Sequence, residues 1–210
     1  MRVIKKHDER KNEILDAAER LFHVKGYEKC TVNDILEEVA IAKGTFYYYF
    51  KSKKEVMEAV VSRYTDVVAE RANKILKNDK ISTEEKLVCI FRAMKINDQI
   101  DSDVLNEMHK AENAQLHQKI LNQMVTTMAP ILVQVVEEGV ERKIWSCKYP
   151  LQYMQIFLSA ALTLTDEGIF KLDKEEQGML MTALISLIEK MLEVPENSFN
   201  QLFIQKWEKT

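Results

Sequence analysis

One stretch, Thr31 to Glu55 (TVNDILEEVAIAKGTFYYYFKSKKE), constrains this chain more than any other. It reads as two short helices on either side of a tight turn, with a third helix opening behind its own cap. Thr31 is placed to cap the first helix, and Asp34, three residues on, faces back toward it. Val32, Ile35, Leu36 and Val39 then fall at i, i+3, i+4 and i+7, which gives one apolar face and nothing longer. The turn is Ala40-Ile41-Ala42. From Lys43 to Phe50 the second helix sets Phe46, Tyr47 and Phe50 on one side, and Gly44, Thr45, Tyr48 and Tyr49 on the other.

A helix that buries Phe46 and Phe50 while showing solvent a threonine and two tyrosines is built to meet something polar and flat. Its N-terminal backbone N–H groups seek anions, and Lys43, Lys51, Lys53 and Lys54 flank it with positive charge. In a helix-turn-helix the second helix enters the DNA major groove while side chains around it hold phosphates. Each tyrosine suits that setting, with a face for stacking and a hydroxyl that reaches phosphate or a base edge. A small helical lobe that binds protein is the competing reading of the same residues.

From about Lys11 to Glu55 the sequence closely resembles the N-terminal domain of the TetR-type (TetR/AcrR) transcriptional repressors. The resemblance rests on Gly26-Tyr27 closing a first helix, Thr31 capping the second, and the run KGTFYYYF followed by K-x-K and an acidic residue. Carried over position by position, it implies that Lys43, Gly44, Thr45 and Tyr48 look toward bases, and that Thr31, Tyr47, Tyr49 and Lys53 hold phosphates. Gly44 would act by lacking a side chain, which lets the backbone approach the groove. Two positions depart from the family pattern, which usually has Gly in place of Ala40 and Ser in place of Ala42. Losing that hydroxyl removes an N-cap worth ~1 kcal/mol.

Length and composition fit the same picture. A chain of 210 residues suits one small domain and one larger one. With 5 Gly, 3 Pro and no convincing alternation, the expected fold is all-α. The layout expected is a helix-turn-helix DNA-binding domain over residues 1–54 and a helical ligand-binding and dimerisation domain over 55–210. A formal charge of −3 argues against DNA only until it is divided. Residues 1–54 carry 12 Lys and Arg against 9 Asp and Glu, whereas residues 55–210 carry 18 against 24. The basic excess sits with the DNA reader, and the acidic body should stay off the duplex. Met1 to Arg10 is charged with no apolar segment behind it, and no apolar run looks long enough to span a bilayer. Cys30, Cys89 and Cys147 are odd in number and widely spaced, which points to reduced thiols in a cytoplasm.

Met1 to Asp8 is a basic lead-in, equally readable as a backbone-tracking arm or a plain terminus. The first helix should run from Asp8 to Lys25 on the stripe Ile14, Leu15, Ala18, Leu21 and Phe22, ended by Gly26. Ser52 to Glu55 reads as a capping box for a helix reaching about Leu76, with Val56, Met57, Val60, Tyr64, Val67 and Val68 inward. By analogy with the family, this helix carries motion between reader and body. Ser82 with Glu85, and Asp173 with Glu176, cap two later helices, and Pro150 suits the first turn of another. Ile100 to Ser102 is a break, followed by a helix from about Asp103. In the apolar-periodic stretch from Leu116 to Arg142, Pro130 should kink or divide the helix.

From Met179 to Leu192 the chain is apolar on nearly every side, so that helix must be covered all round. With the helix from Pro150, where Ser159-Ala160-Ala161 allows close approach, it is expected to form a homodimer interface, a four-helix bundle about a two-fold axis. The other available cover is the amphipathic segment Asn197 to Trp207, with Phe199, Leu202, Phe203 and Trp207. The body is rich in methionine, an adaptable side chain. Tyr64, Phe91, Met94, Met108, Met128 and Phe157 fit an apolar cavity for a small hydrophobic effector, as the resemblance implies.

Three further readings are weaker. His109, Glu112 and His117 invite a metal, but their spacing gives no tight shared face, and no metal or cofactor is expected. Cys30, beside a helix start, has the place of a low-pKa sensor thiol. A DNA-bound interaction protein would instead use Phe199, Phe203 and Trp207 to dock a partner. There is no Gly-rich phosphate loop, no G-x-S-x-G and no H-E-x-x-H, so no residue set nominates an enzyme.

Overall fold

The computed structural model describes residues 7–94, 106 and 109–199, without the side chain of Glu112. Met108, the expected break at Ile100 to Ser102, the helix from Asp103, and the segment with Leu202, Phe203 and Trp207 lie outside the described residues. The described residues hold eight α-helices and no strand, an all-α fold. These are α1 (His7–Lys25), α2 (Val32–Val39), α3 (Lys43–Tyr49), α4 (Lys53–Leu76), α5 (Thr83–Ala93), α6 (Ala114–Glu141), α7 (Pro150–Leu164) and α8 (Lys174–Met191), with a 3₁₀ turn at Ala111–Asn113. They fall into two compact units. One lies within Met1–Tyr64 and Asn97–His117, the other within Thr65–Ile96 and Gln118–Thr210. Helix α4 runs unbroken through the boundary at Tyr64.

The first unit is built on the predicted stripes. Ile14, Leu15, Ala18 and Phe22 of α1 are buried with Ile35, Phe46, Phe50, Val56, Met57 and Val60. Gly26 ends α1 at φ +77°, the left-handed conformation open to glycine. Helix α2 ends on an i−5 and an i−3 bond, Ile41 N–H to Leu36 O at 3.0 Å and Ala40 N–H to Glu37 O at 3.2 Å. Ala40 therefore occupies the left-handed position, φ 53°, where the family carries glycine. Ser52 Oγ accepts from Glu55 N–H at 3.1 Å, as expected of a cap, but the Glu55 carboxylate reaches back to Lys51 N–H at 2.5 Å. The box closes one residue earlier than its sequence pattern implies.

The second unit packs α5 to α8 and the distal half of α4 around Val68, Leu87, Ile90, Met124, Met128, Leu132, Met154, Leu158 and Ile188. The capping boxes at Ser82–Glu85 and Asp173–Glu176 both form, and Pro150 opens α7. Pro130 does not divide α6. Pro130 and Thr126, whose carbonyl loses its donor, are both exposed, so the lost bond falls on the solvent side of the helix rather than in the core. By length and composition α6 is apolar enough to cross a membrane, contrary to the sequence expectation. Its apolar residues Met124, Met128, Leu132, Val135 and Val136 are instead core.

Gly139 has a packing reason. A Cβ there would stand 1.9 Å from Trp145 Cε2, and the indole N–H that fills the space donates to Val136 O at 2.8 Å. Phe199 is also core, 1% exposed, edge-on to Trp145 at 6.1 Å. Its backbone N–H and that of Asn197 both donate to the buried Glu189 carboxylate, at 2.9 and 3.0 Å. This removes Phe199 from any docking face. Val67, expected inside, is exposed. The rings of His109 and His117 meet at 5.0 Å, because a 3₁₀ turn rather than continuous helix separates them.

Candidate nucleic-acid interface

Three local devices hold the α2–α3 pair. At the start of α2, Thr31 Oγ1 accepts Asp34 N–H at 3.1 Å while Asp34 Oδ2 accepts Thr31 N–H at 2.7 Å. Lys25 donates to Asp34 Oδ1 at 2.6 Å. That bond first, then those from Thr31, hold the Asp34 carboxyl well below the usual carboxylate range. Ala42 opens α3 without a side-chain cap, the weakness its sequence announces. Phe46 and Phe50 anchor α3 from below, both buried, with ring centroids 6.1 Å apart.

What α3 shows outward is close to the sequence expectation, with one exchange. Tyr48 is 72% exposed and Tyr47 46% exposed, so Tyr47 leaves the buried side on which its helical position set it. Tyr49 is the half-buried one, its ring 4.9 Å from that of His7. Lys43 and Gly44 are exposed and Thr45 is half-buried. A Cβ on Gly44 would meet nothing within 4 Å, so the backbone there is bare to whatever approaches. Thr31, Lys51 and Lys54 are exposed around the same helix pair. The surface is a short tyrosine-bearing rod with a glycine window and a lysine fringe.

Lys53 stands apart from that fringe. Its ammonium donates to the carbonyls of Tyr27 at 2.6 Å, Cys30 at 2.9 Å and Glu28 at 3.4 Å. It also lies 4.0 Å from the centre of the Tyr27 ring. All three of its protons point into the α1–α2 turn, where the carbonyls are short of donors. Read from its motif, Lys53 holds phosphate; in the fold it staples α4 to the turn. Only the tertiary approach of residues 27–30 reveals this. Cys30, in the same turn, is 1% exposed, and burial pushes its thiol up, with Asp34 adding to the effect. That is the reverse of a sensor thiolate.

The residues assigned to a ligand separate. Tyr64 Oη donates to Glu19 of α1 at 2.5 Å, beside Arg63, which bonds Asp16 at 2.7 Å and Glu19 at 3.1 Å. Phe91 and Phe157 pack at 4.9 Å, and with Met94 and Met128 they belong to the core of the second unit.

Two family models match this chain. Residues 14–60 match the model for bacterial regulatory proteins of the tetR family, and residues 95–187 match the tetracyclin repressor-like C-terminal domain. The chain is similar to an HTH-type transcriptional regulator from the lacX 3′ region of Lactococcus lactis subsp. lactis, 45% identical over 71 residues. That match covers 33% of this chain and 36% of the relative, little over a third of its length. It is also similar to the fatty acid metabolism regulator protein of Bacillus subtilis (strain 168), 26% identical over 132 residues, 61% of this chain and 67% of that one. Among solved structures, a transcriptional regulator from Cytophaga hutchinsonii ATCC 33406 shares the fold. Its TM-score is 0.60 at 20% identity, covering 87% of this chain and 96% of the other.

Proposed function

Because this chain belongs to the TetR family of bacterial regulatory proteins, we propose that it is a cytoplasmic DNA-binding transcriptional repressor, released from its operator by a small hydrophobic ligand. The observation that carries the reading is the exposed face of α3: Tyr48 projecting from a helix whose underside is locked by Phe46 and Phe50, with bare backbone at Gly44. Lys43, Gly44, Thr45 and Tyr48 meet bases, while Thr31, Tyr47 and Tyr49 hold phosphates. Lys53 instead ties α4 to the α1–α2 turn.

Two copies are needed to read two half-sites one helical turn apart. Helices α7 and α8 pack on each other and leave Ile156 and Met179 more than half exposed. This pair closes the homodimer as a four-helix bundle. Residues 1–54 act as reader and 55–210 as the ligand-binding and dimerisation body. Ligand in the apolar core near Phe91, Met94, Met128 and Phe157 favours a spacing of the two α3 helices that no longer fits successive grooves. It must bind that state more tightly, since a ligand indifferent to state shifts nothing.

Selection of duplexes from random-sequence DNA by the full chain tests the reading, followed by melting against lipophilic compounds. Fatty acids head the panel, given the name of the Bacillus relative. The proposal expects an enriched two-fold symmetric site, and melting raised by a compound that also releases the duplex. Failure of any duplex to outcompete random DNA at moderate salt overturns it.

A further inference from the structure

The first turn of α1 lies along α3. The His7 ring stands 4.9 Å from Tyr49 and 5.8 Å from Tyr48, and one turn on, the Lys11 ammonium is 5.9 Å from the centre of the Phe50 ring. His7 and Lys11 thus track the C-terminal end of the recognition helix. Like Tyr48, the side chain proposed to meet bases, His7 is exposed. Any duplex that reaches Tyr48 comes within reach of this imidazole. We propose that His7 is a proton-dependent phosphate ligand, which takes up a proton from solution as the duplex binds and donates a hydrogen bond to the backbone. Operator affinity then rises as pH falls through the imidazole range. The inference rests on the DNA-binding reading of α3.

The surroundings of His7 set its balance. On α1, Asp8 Oδ1 lies 3.3 Å from His7 Nδ1, and Lys11 stands one turn away. From α3 come Tyr48 and Tyr49, whose ring faces attract a cation. To this mixed setting an arriving phosphate adds a full negative charge.

The test measures binding of the full chain to a labelled duplex, recovered by selection from random-sequence DNA, at about pH 7.8 and about pH 5.8. A protonated imidazole that holds phosphate roughly tenfold more tightly than the neutral ring makes the wild type roughly sixfold tighter at the lower pH. The slope of log affinity against log salt should also be steeper at the lower pH, by roughly 0.6. His7→Gln should still bind the duplex but lose that part of the pH and salt dependence. His7→Lys should bind at about pH 7.8 as tightly as the wild type at about pH 5.8. Melting of both variants confirms that the fold is intact, since the side chain is exposed. Equal pH dependence in wild type and His7→Gln, or tighter binding by His7→Gln at both values, overturns the inference and leaves the DNA reading standing. Recovery of no preferred duplex removes both.

Discussion

Lys53→Met separates the two roles of this lysine. Methionine keeps the aliphatic stem and removes the charge and all three donors. Three carbonyls at 2.6, 2.9 and 3.4 Å lose their shared partner, and the Tyr27 ring loses the cation 4.0 Å from its centre. Hydrogen bonds to a charged group contribute about 1.5–3 kcal/mol each, and a cation–π contact about 0.5–1. The site is only half buried, so water reaches the orphaned carbonyls and recovers much of this; a net loss of about 2–3 kcal/mol remains. Urea unfolding followed by circular dichroism should show the midpoint lowered by about 1 M, at a slope near 2 kcal/mol per molar. Where the variant is still folded, its salt slope on a selected duplex should match the wild type. A variant of unchanged stability, whose salt slope instead falls by ~0.9, would falsify the staple and return Lys53 to the phosphate backbone.

Ala42→Ser supplies the missing cap of α3 and should stabilise by ~1 kcal/mol, seen as a higher urea midpoint; no gain would mean the turn cannot present a hydroxyl to the α3 N–H groups. Gly139→Ala drives a methyl into the Trp145 indole, breaks its bond to Val136 and should destabilise by about 3 kcal/mol, with loss of near-ultraviolet dichroism. Asp34 is held below its ordinary pKa by Lys25 and Thr31, and Glu138 is lowered too: burial raises it, but Lys86, Thr83 and Arg142 outweigh that. A depressed folded pKa stabilises fully above the unfolded value, so stability should hold above about pH 5 and fall below about pH 4. Asp34→Asn should flatten that fall, and an unaltered acid profile would refute the assignment.

Much of this fold was legible because its signals are local. Capping boxes need only residues i and i+3, and those at Thr31, Ser82 and Asp173 formed as written. The α1 stripe likewise named Ile14, Leu15, Ala18 and Phe22 of its buried face, and the α2 stripe named Ile35, while Leu21, Val32, Leu36 and Val39 are only half-buried. The missing cap at Ala42 was visible as a missing hydroxyl, and the left-handed Ala40 as an absent glycine. What escaped depends on long-range approach. No spacing rule links Lys53 to Tyr27 and Cys30, Gly139 to Trp145, or Glu189 to the backbone of Phe199. Helical phase placed Tyr47 beside Phe46, but a seven-residue helix is too short for phase alone to decide burial. Lys53 fell to the same limit: a motif gives a residue's type and position, not the carbonyls that the fold brings to it.

The most direct test of the account compares the base preferences of the wild type and Tyr48→Ala, read from duplexes selected by each at matched occupancy. The account predicts relaxed preference at one or two positions in each half-site, about 1–3 kcal/mol of lost discrimination, with the salt slope unchanged. Uniform weakening on every sequence, with no position relaxed, would contradict it and leave α3 without a reading face.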